Sequence, residues 1–181
     1  MKGPTWKLAA GLLALGGGSW LACAEVISGP ITNLANGHIY YLLNQTNWTT
    51  SQAQAVALGG NLTTINDATE NAWVLSTFGG SPANGRNLWI GLNDAVAEGV
   101  SVWADASQVG YLNWAPGEPN DPTQAPDEDY VFMWSPGFVA PGTWNDGPNS
   151  MAELTRPFSI AQPFGVVEVR PTIMGLTLIV R

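Results

Sequence analysis

The pattern of hydrophobic and polar residues predicts two helices early in the chain and mostly strands after them. Residues 49–58 are rich in Ala and Gln, begin with Thr and end at a pair of glycines, which is typical of a first helix. Asp67 stands three residues before Glu70 in a capping box, and apolar residues then follow at helical intervals until a second pair of glycines. This second pattern predicts a helix that begins next to Asp67.

Runs of β-branched and aromatic residues predict the strands. These runs are 39–43, 62–65, 88–92, 100–103, 130–134, 142–145 and 164–169. Helices followed by strands and a long excursion indicate an α+β fold. Four prolines between 110 and 134 exclude a regular element over most of that segment. A loop of this length in a compact domain is usually functional or disordered, and the metal-ligand residue types within it favour function.

The chain begins with the pattern of a secretory signal at residues 1–24. A basic stretch precedes an apolar one, and Ala22-Cys23-Ala24 suits cleavage after Ala24. The alternatives are a lipoprotein acylated on Cys23 and a membrane anchor, for which the apolar stretch is shorter than the roughly 20 residues of a spanning helix. We divide the rest into a leader at 25–36, one domain at 37–169 and an apolar tail of unknown role at 170–181.

The charge balance excludes nucleic acid as a partner. Six basic and fourteen acidic residues give a net charge of −8, and loss of Lys2 and Lys7 with the signal would change this to −8 − 2 = −10. No basic patch is left to replace the counterions of phosphate groups. Ten of the fourteen acidic residues lie between Asp94 and Glu153, and bound cations would relieve their mutual repulsion.

Three short segments in this acidic region carry side-chain oxygens beside residues that rigidify the backbone. They are Glu118-Pro119-Asn120-Asp121, Glu128-Asp129 and Trp144-Asn145-Asp146. Hard cations such as Ca²⁺ bind about six to eight oxygens from carboxylates, amides, backbone carbonyls and water. One acidic loop is typical of a solvated surface, but three in succession predict a calcium site.

The chain resembles the C-type lectin-like domain, in particular its calcium-dependent, mannose-type branch. The resemblance runs over residues 37–169. It rests on Gly60-Asn61-Leu62, Trp89-Ile90-Gly91-Leu92-Asn93-Asp94, Asn113-Trp114, Glu118-Pro119-Asn120 and Trp144-Asn145-Asp146. The Trp-Ile-Gly-Leu and Glu-Pro-Asn pieces, found together and in this order, are specific. The resemblance implies two helices packed on small antiparallel sheets, with a long calcium-binding loop.

The resemblance also implies a residue set for a primary Ca²⁺. The set is Glu118, Asn120, Glu128, Asn145 and Asp146, with Pro119 in the cis form so that its neighbours converge on one ion. In the family two vicinal sugar hydroxyls complete the coordination. The residues implied to contact them are Glu118, Asn120, Glu128 and Asn145. The Glu-then-Asn order goes with equatorial hydroxyls, as in mannose, glucose, N-acetylglucosamine and fucose, whereas galactose-type members carry Gln-Pro-Asp.

A second Ca²⁺ is implied by residues after the Trp-Ile-Gly-Leu strand. Asp94 and Glu98 match family positions that meet Asp121, Glu128 and Asp129. The alternative is that Asp94 and Glu98 are ordinary turn carboxylates. We therefore expect one calcium ion and leave a second open.

The chain departs from the family in its cysteines. Family members usually carry two disulfides, whereas this chain has one cysteine, Cys23, within the predicted signal. Tyr130 and Val167 stand where the resemblance expects cysteines. After removal of the signal the protein would thus be a cysteine-free variant, and we expect aromatic burial and bound calcium to stabilise it instead.

These observations predict a secreted, calcium-dependent protein that binds glycans through a metal ion. The alternative is a protein-interaction or adhesion domain of the same fold that keeps calcium for stability. Catalysis is not expected, because one histidine (His38, expected at the surface) and no mature cysteine leave no nucleophile with its base. The carboxylates stand beside amides rather than in apolar surroundings. Single sugar contacts of this kind are weak, so an oligomer would add avidity.

Overall fold

The structure, a computed structural model, describes residues 25–120, 126–153 and 160–171. Within them lie two helices, α1 (Trp48–Ala57) and α2 (Ala68–Phe78). The strands are β1 (Val26–Thr32), β2 (Ile39–Gln45), β3 (Asn61–Leu62), β4 (Leu88–Asn93), β5 (Val102–Trp103), β6 (Tyr130–Met133), β7 (Trp144–Gly147) and β8 (Phe164–Val169). A 3-10 turn at Met151–Glu153 follows β7. The predicted α+β class with two early helices is confirmed.

The strands of the described residues form one sheet in the order β1-β2-β8-β4-β6-β7, with β3 paired to β8 and β5 to β4. The β4–β8 pair is parallel and the others are antiparallel. We expected small antiparallel sheets, and the structure shows a single mixed sheet instead. The reason is the position of β8, which follows all the other strands in the chain and yet lies between β2 and β4.

The segment predicted as a leader outside the domain belongs to the sheet. Residues 25–36 contain β1, which pairs antiparallel with β2 from Val26↔Leu43 to Thr32↔Ile39. The prediction was wrong because β1 lacks the alternation that marks a half-buried strand: Val26 and Ile27 are both exposed. A proline, Pro30, also interrupts β1, and an edge strand tolerates it because one side of its backbone has no partner.

The two helices begin at side-chain caps and pack on the sheet. Asn47 accepts a hydrogen bond from the Thr50 N–H at the start of α1, and Asp67 accepts one from the Glu70 N–H at the start of α2. The buried face of α2 includes Val74, which joins the main core with residues of β2, β4 and β8. The sheet and helices therefore enclose one principal core.

Aliphatic and aromatic packing occupies the two positions where cysteines were expected. Val167 is fully buried against Leu43 and Ala55. The ring of Tyr130 lies 4.8 Å from that of Trp48, centroid to centroid. The described part of the chain contains no cysteine. Packing of apolar and aromatic side chains therefore holds β6 and β8 against α1 at these two positions.

No helix in the described residues is long and apolar enough to cross a membrane. The predicted signal at 1–24, Asp121 of the acidic loop and the tail from residue 172 lie outside the described residues. Arg170, the first residue of the predicted tail, is described, and its guanidinium pairs with Asp105 at 2.7 Å.

Candidate functional site

Pairing between β6 and β7 brings together two of the three oxygen-bearing segments. Glu128 and Asp129 directly precede β6, and Asn145 and Asp146 lie on β7 opposite Phe132 and Val131 of β6. Since the strands are antiparallel, the start of β6 lies beside the end of β7. Local sequence predicts each segment, and the strand register decides that they meet.

The third segment is attached to β7 at Trp144. The Trp144 N–H donates to the Asn113 carbonyl at 2.7 Å, and the Ala115 N–H donates to the Trp144 carbonyl at 2.8 Å. The Glu118 N–H then donates to the Ala115 carbonyl at 3.0 Å, which turns the chain toward β7. The loop of 113–120 is thus held by backbone hydrogen bonds on both sides of Trp144.

The Glu118–Pro119 peptide is cis, the isomer that the resemblance implies. Beyond it, the Asn120 N–H donates to the Asp146 carboxylate, at 3.1 Å from Oδ2 and 3.4 Å from Oδ1. Asp146 is buried. The structure therefore brings three of the predicted ligand residues, Glu118, Asn120 and Asp146, into one place.

Glu118 and Asp146 form a pair of neighbouring carboxyl groups. Burial, the negative charge of Asp146 and a hydrogen bond between the two groups together raise the pKa of Glu118 to about 7. Its Oε2 atom is buried and has no hydrogen-bond partner in the described part of the chain. Two neighbouring carboxylates, one of them with a buried oxygen that lacks a partner, are costly unless a cation or a proton lies between the groups.

The two remaining predicted ligands of the primary site are placed less directly. Asn145 is half-buried on β7, and its side-chain amide donates to the backbone carbonyl of Asp146. Glu128 is half-buried just before β6. Among the described residues, however, Glu128 does not form a close group of three carboxylates with Glu118 and Asp146.

A second acidic group lies on the other side of β6. Oxygen atoms of Asp94, Glu98 and Asp129 all lie within 4.8 Å of one another. The Asp94 N–H donates to the Asp129 carbonyl at 3.1 Å, and the Gly99 N–H donates to Asp94 Oδ2 at 3.0 Å. These three are members of the predicted second calcium set, from which Asp121 lies outside the described residues.

The chemistry of both groups suits a hard cation. The predicted ligands are carboxylates and side-chain amides, which offer oxygen atoms of the kind that Ca²⁺ prefers, and they include no histidine or thiolate. The unpartnered Oε2 of Glu118 is the observation that calls for a positive charge. The residues present thus fit a calcium ion.

Sequence reasoning missed a buried polar network at the start of α2. His38, expected at the surface, is half-buried, and its Nδ1 lies 2.6 Å from Glu168 Oε1. Tyr40 and Asn36 donate to the buried carboxylate of Glu70, and burial raises the pKa of Tyr40.

Both carboxylates of this network have all their oxygens hydrogen-bonded. Asn66 donates to the second oxygen of Glu70, and Arg170, Thr63 and Thr64 donate to Glu168. The network therefore has a structural role in joining β2, β8 and α2. Glu168 interrupts an otherwise apolar strand pattern, and that interruption was the available signal.

Fold and site together define a small α+β domain whose loops carry two groups of neighbouring carboxyl groups. The model of the "Lectin C-type domain" family matches residues 44–150. This protein belongs to the C-type lectin domain family. The family includes carbohydrate-binding lectins and receptors and generally binds Ca²⁺. Its fold is non-enzymatic, which agrees with the prediction that catalysis is not expected.

Individual relatives cover different shares of the chain. It is 36% identical over 107 residues to the low affinity immunoglobulin epsilon Fc receptor of Mus musculus, a match of 59% of this chain and 29% of the receptor. It is 31% identical over 134 residues to a C-type lectin of Micrurus corallinus, or 71% and 81% of the two chains. The chain thus spans less than a third of the receptor.

A solved structure shows the same fold. The carbohydrate-recognition domain of cow CD23, determined in the presence of a GlcNAc2Man3 oligosaccharide, superposes with a TM-score of 0.57 and 29% identity. The superposition covers 75% of this chain and 89% of that domain.

Proposed function

We propose that this protein is a secreted, calcium-dependent lectin that binds sugars with vicinal equatorial hydroxyls, of the mannose, glucose and fucose type. Its partners would be glycans or glycoconjugates outside the cytoplasm, and oligomers would supply avidity for clustered sugars. Glu118-Pro119-Asn120 is the sequence feature that favours the mannose-type class over the galactose type.

One observation carries the calcium part of the proposal. The buried Oε2 of Glu118 has no hydrogen-bond partner in the described residues, and the carboxyl group of Asp146 lies close to that of Glu118. A cation at this position would neutralise both groups, which no basic side chain does there: the basic residues of the described chain are Arg86 and Arg170. The hydrogen bond from the Asn120 N–H to Asp146 supports the same assignment.

The proposed ligands differ in the hydrogen bonds that they can make to a sugar. When bound, Ca²⁺ supplies a positive centre that accepts two vicinal sugar hydroxyls in place of water. The carboxylates of Glu118 and Glu128 can only accept hydrogen bonds, whereas the amide nitrogens of Asn120 and Asn145 donate them. A sugar hydroxyl that donates to a carboxylate and accepts from an amide has both its donor and its acceptor hydrogen-bonded. The bond to the charged carboxylate is the stronger of the two.

The first test is a calorimetric titration of Ca²⁺ and then mannose or galactose into the chelator-stripped protein. We expect calcium binding, and a mannose response that requires calcium and exceeds the galactose response. Glu118→Gln should weaken calcium binding by about tenfold or more, as loss of a ligand does. Asn120→Asp should lose or alter the mannose response.

The matched control is Glu25→Gln. Glu25 is exposed near β1, where it accepts a hydrogen bond from Asn44, so the variant makes the same chemical change at the other edge of the sheet. It should bind calcium and mannose as the unmodified protein does. A mannose response that persists in chelator, or calcium affinity unchanged in Glu118→Gln, would contradict the proposal.

The second candidate function is a calcium-stabilised interaction domain that binds no sugar. The position of Glu128 favours it, because this predicted sugar ligand does not form a close group with Glu118 and Asp146 in the described residues. Calcium binding without a response to any monosaccharide would select this alternative.

A further inference from the structure

The side-chain amide of Asn71 joins α2 to the strand that carries two proposed calcium ligands. Its Nδ2 donates to the Gly142 carbonyl at 3.0 Å, and its Oδ1 accepts from the Trp144 indole Nε1 at 2.8 Å. Asn71 is 7% exposed and Trp144 0% exposed, so both bonds are shielded from water. An indole N–H only donates and a carbonyl only accepts, so one amide group satisfies both.

The ring of Trp144 is fixed in a cage of other aromatic side chains. The rings of Trp103, Tyr111 and Trp114 meet it edge to face, with centroids 5.6 to 6.2 Å away and interplanar angles of 80° to 81°. The indole N–H is the one polar atom of this side chain, and Asn71 is its partner. Asn71 therefore sets how the ring is oriented within an otherwise apolar cage.

Both halves of the proposed primary site proceed from the backbone of Trp144. In one direction the chain continues directly to Asn145 and Asp146. On the other side of the site, Trp144 donates to the Asn113 carbonyl and accepts from the Ala115 N–H, and these bonds hold the loop that leads to Glu118. A shift of Trp144 would therefore move ligands on both sides of the ion together.

We infer that Asn71 is a positioning residue for calcium and sugar binding, acting through Trp144 and without contact to ion or sugar. Its two bonds hold the start of β7 against α2, so the ligands are presented before the ion arrives and less order must be created on binding. The inference rests on the proposed function. The inference adds a new element to that function: helix α2, which is remote from the loops in sequence, helps to set the calcium affinity.

The test compares Asn71→Leu with Gln52→Leu. Gln52 is a matched control, since its amide on α1 also makes two bonds to a neighbouring segment, donating to Asn61 Oδ1 at 2.7 Å and accepting from the Leu62 N–H at 2.8 Å. Calcium Kd is measured by calorimetry well below the unfolding temperature of each variant. We expect Asn71→Leu to raise Kd by about tenfold, the lower end of the effect of partners behind metal ligands, and Gln52→Leu to leave it unchanged.

Trp144→Phe keeps an aromatic ring and removes the indole donor. If Asn71 acts through this donor, the effects of Asn71→Leu and Trp144→Phe on Kd are strongly non-additive in the double variant. Should Asn71→Leu fail to fold, Trp144→Phe alone is expected to raise Kd. Additive effects, equal losses in Asn71→Leu and Gln52→Leu, or an unchanged Kd in Trp144→Phe would overturn the inference.

A calcium-free readout separates this inference from the proposed function. Failure of the unmodified protein to bind calcium would refute the function. The backbone amide resonances of Asn145, Asp146 and Asn120 in calcium-free protein would then decide the role of Asn71. Shifts in Asn71→Leu that are missing in Gln52→Leu support positioning, and unmoved resonances in both overturn it.

Discussion

Glu118 combines the features that make a carboxyl group sensitive to both protons and calcium. It is half-buried, its Oε2 lacks a hydrogen-bond partner in the described residues, and Asp146 lies beside it. Burial and the neighbouring charge both disfavour the ionised form, which raises its pKa from 4.5 to about 7 in the calcium-free protein. The pair therefore holds a proton near neutral pH that a calcium ion would have to displace.

Calcium affinity should consequently rise with pH up to about 7 and level off above it. Below the pKa of about 7, binding releases the Glu118 proton, so Kd should fall by up to about tenfold per pH unit. The stability of the calcium-free protein should instead fall as pH rises. A raised carboxyl pKa stabilises the fold below pH 4.5, and this stabilisation is lost as pH rises through about 7.

Calorimetric calcium titrations at pH 5.5, 7 and 8.5, with proton release measured in two buffers, check this expectation. Glu118→Gln should bind calcium more weakly and lose the part of proton release that belongs to this group. Glu25→Gln should retain the pH dependence of the unmodified protein. A Kd that does not change with pH below 7 would show that Glu118 is already ionised without calcium.

At the scale of elements, close backbone approach couples the sheet to the segment after β3. The Gly91 N–H of β4 donates to the Thr63 carbonyl at 2.9 Å, and a Cβ atom at residue 91 would lie 2.5 Å from the Leu62 carbonyl oxygen. Such a distance is sterically forbidden, so β4 fits here only with glycine. The end of β4 leads to Asp94, so this packing also supports the second acidic group.

Gly91→Ala should therefore destabilise the protein by roughly 1–3 kcal/mol, as overpacking does in a core. The measurement is equilibrium unfolding in urea. The slope of the free energy of unfolding against urea concentration is compared between the variant and the unmodified protein, because an equal slope means that the denatured state is unchanged. Gly110→Ala is the matched control, since nothing lies within 4 Å of a Cβ atom added there. Equal stability of the two variants would contradict this, because it would mean that β4 can move away from the Leu62 carbonyl at little cost in free energy.

At the scale of the whole molecule, the acidic charge is concentrated where the fold brings the loops together. Ten of the fourteen acidic residues lie between Asp94 and Glu153, and the net charge of the chain is −8. Two carboxylate groupings result, the Glu118–Asp146 pair and the group of Asp94, Glu98 and Asp129. Divalent cations bound at these places would offset repulsion that the fold itself creates.

Calcium should therefore stabilise the protein against heat. With Ca²⁺ at a hundredfold excess over Kd, one site adds about 2.7 kcal/mol to the free energy of unfolding. This should raise Tm by several degrees relative to the protein in chelator. Mg²⁺ at the same ionic strength is the control, because it screens charge equally but demands a smaller octahedral site. An equal rise in Tm with both ions would mean screening and no specific site.

Asp94→Asn tests whether the group of Asp94, Glu98 and Asp129 binds a second calcium ion. The variant should bind one calcium ion fewer and show a smaller rise in Tm, because the group with Glu98 and Asp129 loses a charge. Mannose binding should remain, since Asp94 is not among the proposed sugar ligands. Unchanged stoichiometry would support the alternative that Asp94 and Glu98 are turn carboxylates only.

Much of the local structure could be predicted because its signals are local. Both helices follow from capping residues and glycine pairs, and most strands follow from β-branched and aromatic runs. β1 could not be predicted in this way, because Val26 and Ile27 are both exposed and the strand depends on pairing with β2. His38 was placed at the surface for a related reason, since its partner Glu168 is 130 residues away.

The sequence by itself determined which side chains can take part in the chemistry: oxygen ligands in three ordered segments, with no thiol or histidine beside them. The tertiary structure alone decided that Glu118 and Asp146 become neighbours, that β8 lies between β2 and β4, and that Asn71 on α2 receives the Trp144 indole. The physical reason is distance along the chain. Short-range periodicity and capping encode elements, whereas pairing and burial between distant residues depend on packing that forms only when the whole sheet is assembled.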